Sequence, residues 1–182
     1  TVTTNITLPS TVVYGSTPFR LKAGSGNATI NMPSFPWDFE FSATGTKTLS
    51  VDTAIAGVTY MSASPTINTN KLYADGGIES TTGANRIFYG STELWVRGGR
   101  MYFITKRDGG KLVLGGDVLL ESNLNANVLG IYSSTLVYNS GTITCASNTV
   151  FGIYGTSVID ASVGDNVIFD NIDTAGTLTL NS

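Results

Sequence analysis

The sequence predicts an all-β chain wound as a right-handed parallel β-helix, a solenoid of short stacked strands. Three observations carry this prediction. The stretch VLGIYSSTLVYN from Val128 is nearly rewritten as VFGIYGTSVIDA from Val150, 22 residues on. LYADGG from Leu72 returns as LWVRGG from Leu94 at the same spacing. The segments between are short, rich in β-forming residues and bounded by Gly, Asn, Ser or Asp, and no convincing helical period interrupts them.

A repeat of roughly 20 to 30 residues suits a solenoid, because one coil cannot bury its apolar face until the next stacks on it. The offset places Val128 on Val150, Gly130 on Gly152, Ile131 on Ile153, Tyr132 on Tyr154, Leu136 on Val158 and Val137 on Ile159. In the earlier pair Leu72 falls on Leu94, Tyr73 on Trp95, Gly76 on Gly98 and Gly77 on Gly99. Tyr132 and Tyr154 are therefore expected to stack at the strand spacing of about 4.8 Å. From Leu94 to Val128 is 34 residues, not a whole number of such coils, so insertions or a change of packing must intervene.

ATINM, DFEFSA, KTLSVD, ELWV, RMYFIT, KLVLGG and DVLLES read as strands. IFYG, LWV and MYFIT are apolar on successive residues, which predicts cover on both faces by a second sheet or a partner chain. Residues 1–65, with Pro9, Pro18, Pro33, Pro36 and Pro65, show no period. Prolines interrupt ladder pairing, so this part is expected to be a β-rich lead-in or cap, followed over 66–182 by a solenoid of about 22-residue coils. An antiparallel β-sandwich is the alternative fold, since it also needs many short strands and turns.

Composition narrows the chemistry. The 182 residues are 41% hydrophobic but only 13% charged, against a usual quarter. Thr, Ser, Asn and Gly must supply most of the polar surface. The chain starts at Thr1 without a methionine, which suggests an excised or processed piece. It has no histidine, which removes Ser-His-Asp and Cys-His catalysis and the usual zinc and iron ligand sets. Cys145 is the only cysteine, so an intrachain disulfide and a Cys-based zinc site are excluded; in TITCASN it reads as a small buried hydrophobe. No cofactor or metal is expected. No apolar run approaches the roughly 18 residues of a membrane span. The net charge of −3 without a continuous basic face argues against nucleic acid. Lys71, Arg86, Arg97, Arg100, Lys106, Arg107 and Lys111 nevertheless form a central basic belt, either a lure for anionic sugar or phosphate or a set of solvated turn residues.

Candidate site residues come from spacing. Glycoside hydrolysis needs two carboxylates, and Asp38 with Glu40 would share one strand face; Asp160 with Asp165, or Asp170 with Asp173, could converge across turns. Turn aspartates commonly bond their own backbone instead. For binding, Trp95 with Arg97 and Tyr102 with Arg100 place an aromatic ring two residues from a guanidinium, a pairing suited to acidic polysaccharide. The other role for Trp95 and Tyr102 is to fill the solenoid core or a subunit seam. NIT at Asn5 and NAT at Asn27 match the glycan-acceptor motif.

The run VRGGRMYFITKRDGGKLVLGGDVLLESN, with GG pairs punctuating short apolar strands, resembles the parallel β-helical segment of tailed-bacteriophage tailspikes and tail fibres over roughly residues 70 to 182. The resemblance implies a homotrimer in the virion or outside the cell, attached to other virion proteins, that recognises bacterial surface polysaccharide as a structural and receptor-binding module. Many such proteins cleave their receptor, so the alternative is a polysaccharide depolymerase, hydrolase or lyase, of a tailspike or a secreted enzyme. In a trimer, strands such as LWV and MYFIT would be partly hidden by neighbouring subunits.

Overall fold

Strands of two to ten residues can be stable only if each pairs with strands from other coils, and the chain is built to allow this. The computed structural model describes residues 5–8, 15–24, 26–122, 128–147 and 149–160, and the backbone of 172–181. Among the described residues every strand pairing is parallel and there is no α-helix. Each coil contributes three short strands separated by corners, so the chain winds into a three-faced parallel β-solenoid.

Face A is a 7-stranded sheet of Leu21–Ala23, Phe39–Phe41, Thr59–Met61, Gly77–Ser80, Arg100–Tyr102, Val118–Glu121 and Ile143–Cys145. Face B stacks Ile6–Thr7, Ala28–Asn31, Thr46–Leu49, Thr66–Asn68, Arg86–Tyr89, Ile104–Arg107 and Gly130–Tyr132. Face C stacks Ser34–Phe35, Thr53–Ile55, Lys71–Ala74, Glu93–Val96, Lys111–Gly115 and Thr135–Ser140. The long strands Phe151–Asp160 and Ile172–Asn181 run along B and C together, joining them into one 15-stranded sheet.

The repeats in the sequence are stacked rungs. Leu72 pairs with Leu94 and Tyr73 with Trp95, while Gly130, Ile131 and Tyr132 pair with Gly152, Ile153 and Tyr154. The Tyr132 and Tyr154 rings stack with centroids 6.3 Å apart. Past the next corner the register departs from the simple offset: Thr135 meets Val158, Leu136 meets Ile159 and Val137 meets Asp160. Gly155, Thr156 and Ser157 turn this corner where Ser133 and Ser134 suffice in the coil before, with the Ser133 N–H donating to the Tyr154 carbonyl at 2.9 Å. Coil length varies from 18 residues, Leu94 on Leu112, to 25, Thr105 on Gly130, which is why the two repeats are out of step.

A separate lead-in ending at Pro65 is not what the strand order gives. The coils before Pro65 belong to the same three faces as those after it, with Thr46 of one pairing with Thr66 of the next. Pro33 and Pro65 sit in corners as acceptors: the Pro33 carbonyl takes the Ala54 N–H at 3.0 Å and the Pro65 carbonyl takes that of Tyr89 at 3.1 Å. A residue without an N–H costs nothing where only a carbonyl is used. The apolar runs need no outer cover either. Leu94 and Val96 point into the core and Trp95 outward, while in MYFIT the chain turns at Phe103, φ +54°, so that Met101 and Ile104 both face inward. Among the described residues the exposed large hydrophobics are Phe19 and Tyr132.

The core is a set of columns, such as Leu72, Leu94, Leu112 and Leu136 on face C, all buried. Each such leucine contributes about 1.5–3 kcal/mol by leaving water. The corner from face C to face A sets the limit on what can stack. At Gly99, φ +66°, an added Cβ would lie 2.2 Å from the Gly76 carbonyl oxygen of the coil before, and at Gly141, φ +88°, it would lie 2.2 Å from the Gly116 carbonyl carbon. Gly99→Val is therefore expected to destabilise by more than about 2 kcal/mol, combining left-handed strain with a backbone clash, as read by urea denaturation. An unchanged midpoint would contradict this packing.

Two lysines point inward on face B. Lys47 Nζ donates to the Gly26 and Thr44 carbonyls, and Lys106 Nζ to those of Gly90 and Gly109. Each ammonium thus closes a corner in place of a backbone donor. Burial lowers the Lys106 pKa to about 8, with Asp108 opposing. Below pH 8 the amine is charged in both folded and unfolded chains and folding carries the full desolvation cost. Between pH 8 and the ordinary value of 10.5 the unfolded chain holds more protons, so stability rises with pH. The expected gain is about 3 kcal/mol, measured as wild type minus Lys106→Met across that window; parallel pH curves for the two proteins would refute it.

Candidate functional site

Strand alternation on face C turns Leu72 and Leu94 inward and their neighbours Tyr73 and Trp95 outward, and the in-register pairing sets the two rings side by side, centroids 5.7 Å apart. Around them the same pairing collects charges. Glu93 lies 3.5 Å from Lys71 Nζ and 3.7 Å from Lys111 Nζ, and accepts the Trp95 indole N–H at 3.2 Å. Burial pushes the Glu93 carboxyl up, but the bonds from Trp95 and Lys71 and the charges of Lys71 and Lys111 together hold it below its ordinary value. Lys71 Nζ lies 5.6 Å from the centre of the Trp95 ring. Arg97 lies over Tyr73 at 4.2 Å, fixed by Asp75 through Nε at 2.6 Å and Nη2 at 2.9 Å, a fork that also raises its pKa. The result is a two-ring platform flanked by three cations and three carboxylates, the third being Asp52, which accepts the Lys71 N–H at 2.9 Å; all are at least partly open to solvent.

The four residues expected to bind together are split by the corner at Gly98 and Gly99. Trp95 and Arg97 go with face C, whereas Arg100 and Tyr102 lie on face A. Arg100 is already engaged: Nε and Nη2 donate to Glu79 at 3.2 and 2.7 Å, and Nη1 to Glu121 at 2.9 Å, with the guanidinium 4.3 Å over Tyr102. The bonds from Glu79 and then Glu121 raise its pKa above the ordinary arginine value. Face A carries a column of Glu40, Tyr60, Glu79, Tyr102 and Glu121 in register, and Arg100 ties its last acids together. Glu79, Glu121 and Tyr60 escaped the sequence reading because each relation spans a whole coil. The basic belt is likewise dispersed, with Lys71 and Lys111 on face C, Arg86, Lys106 and Arg107 on face B, and Arg100 on face A.

Asp38 and Glu40, the first pair of catalytic candidates, are bonded within the fold. Asp38 Oδ1 accepts the Val58 N–H at 2.9 Å. Glu40 is buried, accepts the Ser62 hydroxyl at 2.7 Å and pairs with Arg20 at 3.3 Å and Lys22 at 3.1 Å. Burial raises its carboxyl, but Ser62, Lys22 and Arg20 outweigh this and leave the pKa lowered. A carboxylate held ionised has no proton to give a leaving group near neutral pH. Asp160 is half-buried and stands in register between Val137 and Asn181. Asp165, Asp170 and the side chain of Asp173 lie outside the described residues.

The remaining motifs resolve similarly. Asn5 and Asn27, which open the two glycan-acceptor motifs, use Oδ1 to accept the Thr29 and Thr46 N–H groups of the next coil at 3.0 and 2.9 Å. Cys145 is exposed rather than buried, because its strand is the last of face A and no described strand stacks beyond it. Among the described residues no group of three or more His, Cys, Asp and Glu side chains is placed to hold a metal ion, and no helix is long and apolar enough to cross a membrane. Comparison with family profiles, with curated proteins and with solved structures finds no match.

Proposed function

We propose that this chain is a binding module, the structural and receptor-binding part of a phage tail spike or fibre in the virion or outside the cell, recognising bacterial surface polysaccharide on face C. The observation that carries the binding role is the Tyr73–Trp95 platform with Lys71, Lys111 and Arg97 beside it. Sugar rings stack on such faces, and Lys71, Lys111 and Arg97 beside the rings can donate to the carboxylate of an acidic saccharide. A rigid solenoid supports this use because in-register pairing fixes the outward side chains before any ligand arrives. The phage setting and the attachment to other virion proteins rest on the resemblance of the GG-punctuated run alone. So does a homotrimer, since the apolar strands that suggested it are buried within one solenoid; light scattering at a mass near 19.1 kDa would remove the trimer from the reading.

Depolymerisation is the weaker alternative, because Asp38 and Glu40 are committed to Val58 and to Arg20, Lys22 and Ser62. The decisive substitution is Trp95→Ala, tested against a panel of acidic capsular oligosaccharides by calorimetry. Loss of the ring should weaken binding by about 2- to 13-fold, in keeping with about 0.5–1.5 kcal/mol for a stacked aromatic contact, while the melting temperature stays close to wild type. Binding should also weaken with added salt. Equal affinity for wild type and variant, or release of new reducing ends, would contradict a binding-only face C.

A further inference from the structure

A concave site lies on an early turn of the corner between faces C and A. Between the face C strand Ser34–Phe35 and the face A strand Phe39–Phe41 the chain turns through Pro36, Trp37 and Asp38, and the segment leading to Leu21–Ala23 passes beside it. Pro18, Phe19, Arg20, Pro36, Trp37, Asp38 and Gly57 enclose a notch of about 330 Å³. Pro18, Phe19, Pro36 and Trp37 supply its apolar walls. Phe19 is 50% exposed yet docked, with ring centroids 4.7 Å from Trp37 and 5.6 Å from the buried Phe35.

The polar groups of the notch are few and fixed. Arg20 is stacked 3.7 Å over the Tyr60 ring and bonded through Nη1 to the buried Glu40 at 3.3 Å, so its guanidinium is held from behind. Asp38 is held by Oδ1 on the Val58 N–H. That leaves Arg20 Nη2 and Asp38 Oδ2 facing each other at 3.9 Å, too far for a hydrogen bond. A donor and an acceptor thus sit beside two aromatic rings with bonding capacity to spare. Gly57 packs directly against the coil before, where a Cβ would lie 2.4 Å from the Trp37 carbonyl carbon and 2.7 Å from Asp38 Oδ1.

Ligand sites are concave, mostly apolar and furnished with a small number of placed polar groups, which is what this notch offers. We propose that it is a second saccharide site, and that its ligand is neutral. Arg20 and Asp38 cancel in charge, so net charge selects no charged ligand here, whereas two neighbouring hydroxyls of an uncharged sugar ring can accept from Arg20 Nη2 and donate to Asp38 Oδ2 while the ring face lies on the half-exposed Phe19. The site extends the glycan-binding role proposed for face C but differs from it in chemistry: face C sets three cations beside its rings, whereas this notch has Arg20 alone, already paired with Glu40.

The chain contains two tryptophans, Trp37 and Trp95, one at each site, so each site has its own reporter. In Trp95→Phe the fluorescence comes from Trp37 alone, and in Trp37→Phe from Trp95 alone. The probes are two panels of bacterial surface oligosaccharides, one neutral and one acidic. The expected result is a saturable shift of Trp37 emission with a neutral oligosaccharide, insensitive to salt, weakened 10-fold or more by Phe19→Ala and by Asp38→Asn. The latter substitution keeps an oxygen for the Val58 N–H and so spares the corner. No Trp37 response to neutral probes up to about 10 mM, a response to acidic probes only, or full affinity in Asp38→Asn would each overturn the proposal. A response of Trp95 to acidic probes in Trp37→Phe is read separately, so failure of the notch and failure of face C are told apart.

Discussion

The backbone hydrogen bond between one coil and the next is the constraint on which everything else depends. It fixes the coils at a spacing of about 4.8 Å and requires the main chain to follow the same path each time round. Along the faces this is easily met, because side chains leave alternately inward and outward and like residues stack, as the column from Leu72 to Leu136 shows. At the corners backbone lies on backbone. The Gly99 position sits directly on the Gly76 carbonyl and that of Gly141 on the Gly116 carbonyl carbon, so a side chain has no place there. Where a corner is left with unused carbonyls, the chain supplies a donor by burying the amines of Lys47 and Lys106.

The same constraint shapes the surface. Parallel stacking makes neighbours of residues about twenty positions apart, so each outward face is a grid of columns rather than a set of loops. Arg100 bridging Glu79 and Glu121, and Lys71 and Lys111 flanking Glu93, are contacts of this kind. Exposed ion pairs like these contribute little to stability individually, roughly 0–1 kcal/mol. Their effect is to hold aromatic rings and guanidinium groups in fixed positions, which is what a binding surface needs. The Tyr73–Trp95 platform and the Phe19–Trp37 notch therefore stand on scaffolding that is already paired.

The sequence made the solenoid legible where coil length happened to repeat. Leu72 on Leu94 and Tyr132 on Tyr154 were readable because both steps are 22 residues. The coils before Pro65 were hidden because their steps change from 24 at Ile6 and Ile30 to 19 at Ala28 and Lys47 and 20 at Thr46 and Thr66. A loop can lengthen at a corner without disturbing the ladder, so period is lost while architecture is kept. The outward position of Trp95 overturns its expected place in the core, because Leu94 and Val96 on either side take the inward positions, and its separation from Tyr102 was hidden because the turn at Gly98 and Gly99 changes which face comes next. The partners of Arg100 and the role of Glu40 were illegible for a similar reason: they are made across coils, between strands whose register no local pattern states. In MYFIT, Phe103 takes a left-handed corner that no β-pattern anticipates, and two apolar neighbours become inward-facing on successive strands.

Interstrand nuclear Overhauser contacts along one column test the in-register stacking most directly. In isotope-labelled protein the backbone of Leu94 should show parallel-strand contacts to residues beside Leu72, 22 positions earlier, and to residues beside Leu112, 18 positions later. Leu112 should in turn contact the neighbourhood of Leu136. Antiparallel contacts between sequential strands, such as Glu93–Val96 with Arg100–Tyr102, would mean hairpins rather than stacked coils and would contradict the solenoid and both surfaces built on it.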